Sequence, residues 1–372
     1  MMWQLFIEPN DVLLFRDGKP FTAGEDHRAR SIFPPTPFTM QGVVRSKILF
    51  DSGVSLSDYA HGAPSAQDLI RQIGRPGGNY GQLRLRGPFV TKRNGDTFMR
   101  YFPLPADVVM VDKHLTLVKP LSANCFSSNI PDDLYLLWVR TDKPIKEARG
   151  WLEEDEFRKY LSGQTELRVT SESDLVVCEP RLGIALDPVR RSAKERMLYT
   201  MEFLRLRENV GFLLEVDGIP PFRSEKGLLQ VGGEARAAIY EVLKTPLPAV
   251  SPPNSLPKQF KVVLLTPAWF SGGWRPQGDN WGQFFDGANV RLVAAALPRA
   301  QPIGGAFVDD VRRRADFQKV MHSFVPAGSV FFFESEGAAT YNGKPFTETP
   351  RNEGDFGQIG FGCVAITEWE FA

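Results

Sequence analysis

Between an apolar strand that ends near Phe15 and a helix that opens at Thr36 lies a long polar stretch punctuated by glycine and proline. It reads Phe15-Arg16-Asp17-Gly18-Lys19-Pro20-Phe21, then Gly24-Glu25-Asp26-His27-Arg28-Ala29-Arg30-Ser31, then Phe33-Pro34-Pro35-Thr36-Pro37. A loop of this length inside a compact domain is uncommon unless it binds something. Beyond it, Thr36 is placed to N-cap a helix with Pro37 at the first helical position. Phe38, Gly42, Arg45 and Leu49 share one face of that helix, with Val44 and Ile48 beside them, and Asp51-Ser52-Gly53 ends it.

The rest of the chain bounds what the loop can bind. At 372 residues, and about 150 residues per domain, two or three domains are expected. Lysine plus arginine equals aspartate plus glutamate at 44 each, so no global charge announces a nucleic-acid partner, and only a local excess can do so. Three dispersed cysteines, Cys125, Cys178 and Cys363, exclude a disulfide scaffold or a zinc ribbon and suit a reducing cytoplasm. The N-terminal run Trp3-Gln4-Leu5-Phe6-Ile7 meets Glu8 and Asp11 at once and lacks a basic flank, so it reads as a first strand rather than a signal peptide. No apolar run approaches the roughly 18 residues that span a bilayer.

Along the chain, residues 3–15 read as a buried strand broken at Pro9-Asn10-Asp11. Residues 71–100 are the most basic segment, with seven arginines and lysines against the single acid Asp96. Residues 82–91 and 97–102 suggest a hairpin about Arg93-Asn94-Gly95-Asp96. Residues 151–161, carrying Glu153, Glu154, Asp155 and Glu156, read as an exposed helix. Residues 198–206 and 212–216 suggest a second hairpin flanking Asn209-Val210-Gly211. Residues 228–231 lead through Gly232-Gly233 into a helix whose Ala235, Ala238, Ile239, Val242 and Leu243 fall at helical spacing. Strand, helix, hairpin, helix approximates a βαββαβ ferredoxin-like unit with large insertions. The uncharged, proline-rich residues 246–257 make a linker, so the expected domains are 1–248 and 258–372. The second carries strand-like runs at 260–266, 290–297, 329–334 and 363–371.

The chemistry-bearing motifs are sparse. Gly354-Asp355-Phe356-Gly357-Gln358-Ile359-Gly360-Phe361-Gly362 lacks the Gly-Lys-Ser/Thr of a phosphate loop and runs into a strand where a dinucleotide fingerprint would open a helix. It is either a glycine-rich hairpin or a loop whose bare backbone offers N–H groups to phosphates. His27, His61, His114 and His322 form no metal-ligand spacing, and no cofactor motif is present. Glu25-Asp26-His27 is an acid–base group, a metal fragment or a hydrogen-bonded loop anchor. Arg312-Arg313-Arg314, and Arg190-Arg191 with Lys194, are phosphate patches or plain surface, and Trp274 stacks a base or anchors its own loop.

Several of these pieces, in order, resemble a known family. Phe6-Ile7-Glu8-Pro9, the stretch from Phe15 to Pro37, Pro180-Arg181-Leu182-Gly183-Ile184, Leu198-Tyr199, Glu202-Phe203-Leu204-Arg205, Val231-Gly232-Gly233-Glu234-Ala235-Arg236, Pro302-Ile303-Gly304-Gly305, Val325-Pro326-Ala327-Gly328-Ser329-Val330 and the terminal glycine run resemble the third subunits of the Cmr complex. That complex is the type III-B CRISPR effector, and the subunits belong to the RAMP superfamily. The resemblance implies an α+β fold with two tandem ferredoxin-like (RRM-like) domains and a C-terminal glycine-rich loop. It also implies a non-catalytic, cytoplasmic role in defence against foreign nucleic acid. The subunit would hold the 5′ tag of the CRISPR RNA, dock the large subunit and contact neighbouring backbone RAMP subunits.

Single-stranded RNA recognition needs donors for phosphates and 2′-hydroxyls and flat surfaces for splayed bases. Arg16, His27, Arg28, Arg30, Ser31 and Arg45 are the candidate donors. Gly357, Gln358, Gly360, Phe361 and Gly362 are the candidate wall opposite them, with Phe33 and Phe361 as stacking rings or core. The rival reading is a metal-independent endoribonuclease with His27 as its base. Net neutrality fits a footprint of a few nucleotides, with the acidic residues 153–156 and 334–355 turned toward protein partners.

Overall fold

A computed structural model describes residues 2–16, 28–75, 78–121, 131, 133–187, 190, 192–232, 236–250, 252–305 and 320–372, with the side chains of Arg28 and residues 194–197 outside the description. The protein is mixed α/β, built mostly of strands with few helices. It divides into two compact units: Met1–Thr97, Ser173–Pro246 and Pro302–His322 form one, and Phe98–Glu172, Leu247–Gln301 and Ser323–Ala372 the other. Residues 98–172, which lie between the stretches of the first unit, thus pack with the C-terminal strands.

In the first unit, β1 (Trp3–Pro9), β2 (Arg28–Ala29) and β3 (Arg84–Asn94) precede β4 (Val176–Leu186) and β5 (Ala193–Leu206). β6 (Val210–Asp217), β7 (Lys226–Val231) and β8 (Arg236–Val242) follow. Five of them make an antiparallel sheet in the order β3, β6, β1, β8, β7. Helix α1 (Pro37–Ser52) connects β1 toward β3 and lays Met40, Val43 and Val44 on the face made by Leu5, Ile7, Phe212 and Leu214. Its boundaries follow local chemistry. Thr36 Oγ1 accepts the Thr39 amide at 3.3 Å, and Gly53 takes the left-handed conformation at φ +73° that closes the helix. Helices α2 (Leu56–His61) and α3 (Gln67–Ile73) pack beyond it around Tyr59, Leu69 and Ile73.

Three expectations change here. The segment expected to be a second helix is strand β8, paired with β1 and β7. Ala238 and Tyr240 are buried while Ala237 and Ile239 are exposed, an alternation of two that competes with helical spacing in so short an apolar run. Residues 198–206 and 212–216 form no hairpin with each other. β6 is buried from Val210 through Val216 and needs partners on both edges, which β1 and β3 supply, while β5 pairs with β4. The acidic helix is not an exposed one. It begins at Glu154, as α4 (Glu154–Leu161), and buries Glu154, Phe157 and Tyr160.

In the second unit the C-terminal strands stand where the pattern placed them: β9 (Gln259–Leu264), β10 (Val290–Ala296), β11 (Val330–Ser335) and β12 (Val364–Glu368). They form an antiparallel sheet in the order β10, β11, β9, β12. Numbered by their place in the chain, the strands of this sheet run 2-3-1-4, as β3, β6, β1 and β8 do in the first unit. Its core is aromatic: Phe260, Phe270, Trp281, Phe331, Phe333 and Phe346 are all at most 2% exposed, and Trp281 stacks on Phe346 at 5.6 Å. No helix among the described residues is long and apolar enough to cross a membrane.

Two buried ionic clusters anchor residues 98–172 in this unit. Lys261 of β9 donates to Asp107 at 2.6 Å, and Tyr160 of α4 donates to the same carboxylate at 2.8 Å while its ring lies 4.2 Å beneath the ammonium. Arg100 donates twice to Glu154 at 2.8 Å and also reaches the carbonyl of Pro248, and Arg158 adds a bond to Glu154 at 2.7 Å. Burial alone would raise the Glu154 carboxyl, but the bonds and charge of Arg100 and then Arg158 outweigh it and hold the group below its ordinary 4.5.

Thr36→Ala should cost about 1 kcal/mol in urea unfolding, with Thr36→Ser close to wild type. Asp107→Asn leaves the Lys261 ammonium buried without its counter-ion and should cost about 3–5 kcal/mol, most of it recovered when Lys261→Met accompanies Asp107→Leu. Because the folded-state value of Glu154 is depressed, its contribution is complete above 4.5 and disappears as the pH falls through the lowered value. A thermal melting series from neutral to acid pH should therefore show a shallower acid limb in Glu154→Gln.

Candidate nucleic-acid interface

The loop that opens the chain is clasped at its base. Leu13 exchanges backbone hydrogen bonds with Leu204 of β5 at 2.8 and 2.9 Å, an isolated antiparallel bridge that ties the chain to that strand just before the loop. Ile32 then donates to the Phe15 carbonyl at 2.9 Å, the Phe15 amide donates to Ser31 Oγ at 3.2 Å, and Arg16 and Ser31 form an isolated antiparallel bridge. Phe15 is buried in the core beneath the clasp, and Arg16 and Arg30 are exposed on either side of it. Inside the loop, β2 runs parallel to β5, Arg28 opposite Thr200 and Ala29 opposite Met201. His27 and the Arg28 side chain lie outside the described residues, as do Glu25 and Asp26.

Arg45 has a different setting from the one expected. It is half-buried, and its guanidinium donates to the Tyr59 hydroxyl at 2.8 Å while the hydroxyl donates to the Gly74 carbonyl at 2.7 Å. Burial pushes the Tyr59 phenol above its ordinary value, with Arg45 partly opposing the shift. The side chain is an internal strut between α1 and α2. Phe33 is likewise turned inward, packed on the core with its ring 6.3 Å from that of Phe212.

The glycine-rich run, in the second unit, is closed upon itself. The amides of residues 357–363 donate in turn to Asp355 Oδ1, the Asp355 carbonyl, the Phe356 carbonyl, the Gly357 carbonyl, the Phe356 carbonyl, the Pro267 carbonyl and Thr266 Oγ1, at 2.9–3.3 Å. A phosphate would meet no open row of donors, which corrects the expectation of a bare backbone. The glycines answer a steric need instead. A Cβ on Gly362, at φ +69°, would stand 2.7 Å from the Phe346 backbone, and one on Gly357 would stand 2.6 Å from Pro345. Gly360 sits at φ +109°. Phe361 is fully buried, stacked 4.7 Å from Phe324, so its face is not offered to a base. Gln358 is half-buried.

Elsewhere, Trp274 packs against the aromatic core with Arg275 lying 4.8 Å over its ring, so one face is already covered. Of the acids expected to face partners, Glu154 is buried on Arg100, and Glu156 bonds Lys159 and the Arg168 amide. Arg312, Arg313, Arg314, Arg191 and the Lys194 side chain lie outside the described residues, while Arg190 is exposed. No group of three metal-ligating side chains occurs among the described residues. One assembly was not foreseen. Arg181 and Arg236 lie over the Phe203 ring, and Arg205 shares Glu179 with Arg181 and Asp11 with Arg236. Strand register sets Arg181 beside Arg205, and Arg236 comes from a strand of another sheet.

Residues 5–369 match the family model described as CRISPR-associated protein (Cas_Cmr3). A relative from Saccharolobus solfataricus, the CRISPR system CMR subunit Cmr3, is 25% identical over 248 residues, covering 65% of this chain and 64% of its own length. Among solved structures, a chain of the type III-B Cmr-beta complex bound to cognate target RNA is similar over 88% of this chain and 86% of its own, at 18% identity and a TM-score of 0.48. A chain of the Csm3-Csm4 subcomplex of the type III-A CRISPR-Cas interference complex is similar over 91% and 96%, at 12% identity and a TM-score of 0.39. Both scores lie below 0.5, and neither adds to the assignment. The family match, extending over nearly the whole chain, is decisive by itself: this protein belongs to the CRISPR-associated Cas_Cmr3 family.

Proposed function

We propose that the chain is a non-catalytic RNA-binding and scaffolding subunit of a type III-B CRISPR effector complex. It holds the 5′ repeat-derived tag of the CRISPR RNA and docks the large subunit beside neighbouring RAMP subunits. The observation that carries this reading is the clasp of Phe15 and Ser31, which leaves Arg16 and Arg30 exposed at the two ends of the loop. Two exposed arginines at the mouth of a loop suit a chain of phosphates, each able to take a bidentate contact. His27 and Arg28 lie between them in the chain and act with them, and Ser31 braces the mouth. Arg45 supports the helix behind it.

On this reading Gly357, Gly360, Phe361 and Gly362 shape a rigid wall, and contact from that wall comes through Gln358 and neighbouring side chains rather than through amides. The two domains are RAMP domains of ferredoxin-like descent, residues 1–248 and 258–372 with 246–257 between them, and residues 98–172 are an insertion of the first that packs in the compact unit of the second. The common 2-3-1-4 strand order supports this, with β7 standing where the second helix of the first would be.

Ultraviolet crosslinking of the assembled complex should attach the 5′ tag to a peptide within residues 15–31, and absence of any adduct on this subunit would leave a pure protein adaptor. Arg16→Ala with Arg30→Ala should weaken tag binding about ten-fold or more and make the log–log salt slope shallower by about 1.4, two phosphates at roughly 0.7 each. A wild-type slope equivalent to ten phosphates contradicts the small footprint. Metal-free cleavage of CRISPR RNA by the wild type, lost in His27→Ala, overturns the non-catalytic assignment.

A further inference from the structure

The register of the ribbon made by β4 and β5 sets Glu179 opposite Phe203, Arg181 opposite Met201 and Val177 opposite Arg205. Side chains two apart on a strand share a face, so Glu179, Arg181, Phe203 and Arg205 project together. Phe203, 2% exposed, tops a small apolar cluster with Val12, Leu14 and Met201. Arg181 lies 4.9 Å and Arg236 5.6 Å over its ring. Glu179 is shared by Arg181 at 3.2 Å and by Arg205, and Asp11 is shared by Arg205 at 3.2 Å and Arg236 at 3.8 Å. Glu179 and Asp11 thus link the three arginines, whose side chains are 42%, 46% and 28% exposed.

We infer that Arg181, Arg205 and Arg236 form a second phosphate-binding surface for single-stranded RNA. The inference rests on the RNA-binding reading above and extends it from the loop onto the ribbon. Ion pairs this exposed contribute little to stability, so the network is poorly explained as a brace. What it does provide is orientation. The Phe203 ring and the two shared carboxylates hold the guanidinium planes, so less freedom is lost when their forks meet phosphate oxygens. The acids remain ionised in this setting. Asp11 is held below its ordinary value by the Val12 amide and then by the arginines, and Glu179 by its bond from Arg205. They therefore set the guanidiniums in place as fixed anions. The surface also adjoins the loop: Arg16 follows Asp11 by five residues, at most about 18 Å of extended chain.

The test uses the full chain and a fluorescent single-stranded RNA bearing the 5′ tag, with affinity measured across a salt series. Arg181→Ala with Arg205→Ala should weaken binding about ten-fold and make the log–log slope shallower by about 1.4. The melting temperature should stay near that of the wild type. Arg181→Lys with Arg205→Lys should keep the slope and lose part of the affinity, because charge survives and the fork does not. An unchanged affinity and slope in the alanine pair, with a lowered melting temperature or loss of a protein partner in co-purification, overturns the inference. If Arg16→Ala with Arg30→Ala abolishes binding while the ribbon pair does not, the ribbon site is wrong and the loop reading stands. If the wild-type chain binds no RNA, both are wrong.

Discussion

The Lys261 ammonium has almost no access to water, and the second unit is arranged around that fact. Removing an ammonium from water costs several kcal/mol even after relaxation. Here the cost is met chiefly by a carboxylate and an aromatic face, from Asp107 and Tyr160, neither of which belongs to the C-terminal strands, while the Phe332 ring of β11 stands farther off at 5.9 Å. The Tyr160 hydroxyl, its phenol driven well above its ordinary value by burial and then by Asp107, serves as a fixed donor to the same carboxylate. A central strand of one sheet is therefore complete only when residues from 98–172 have come back to it. This explains why that region, which follows a turn at Gly95, packs with strands more than a hundred residues further on.

How far the fold could be read from the chain depended on the range of the interaction concerned. The start and stop of α1 rest on Thr36, Pro37 and Gly53, whose effects act within one helical turn, and those boundaries were legible. So were the C-terminal strands, each a short apolar run rich in phenylalanine, valine and isoleucine. Strand β8 was not, because its alternation is decided by neighbours on β1 and β7 that the local spacing does not contain. The same holds for β5 and β6, where a turn at Asn209 joins strands of two different sheets rather than a hairpin.

The site divides along the same line. Arg16, Arg30 and Ser31 are neighbours through a clasp that their positions in a punctuated loop suggested. Arg45 looked like another donor, and only the Tyr59 hydroxyl and the Gly74 carbonyl, 14 and 29 residues away, reveal that its bonds are internal. Arg181, Arg205 and Arg236 carried no shared motif, and their meeting around Phe203 and two shared carboxylates is a product of pairing between β4 and β5 and of a third strand from another sheet. Charge in a sequence names candidates, whereas pairing across strands decides which of them reach solvent together.

The closed glycine run bears on how relatives of this chain should be compared. Glycine at 362 is required by the Phe346 backbone and glycine at 357 by Pro345, whether or not anything is bound. Any homologue that keeps this packing would retain both residues for steric reasons alone. Retention of these positions across an alignment would then measure the persistence of a backbone crossing, and evolutionary signal for ligand contact would have to be sought at exposed neighbours whose identity the packing leaves open.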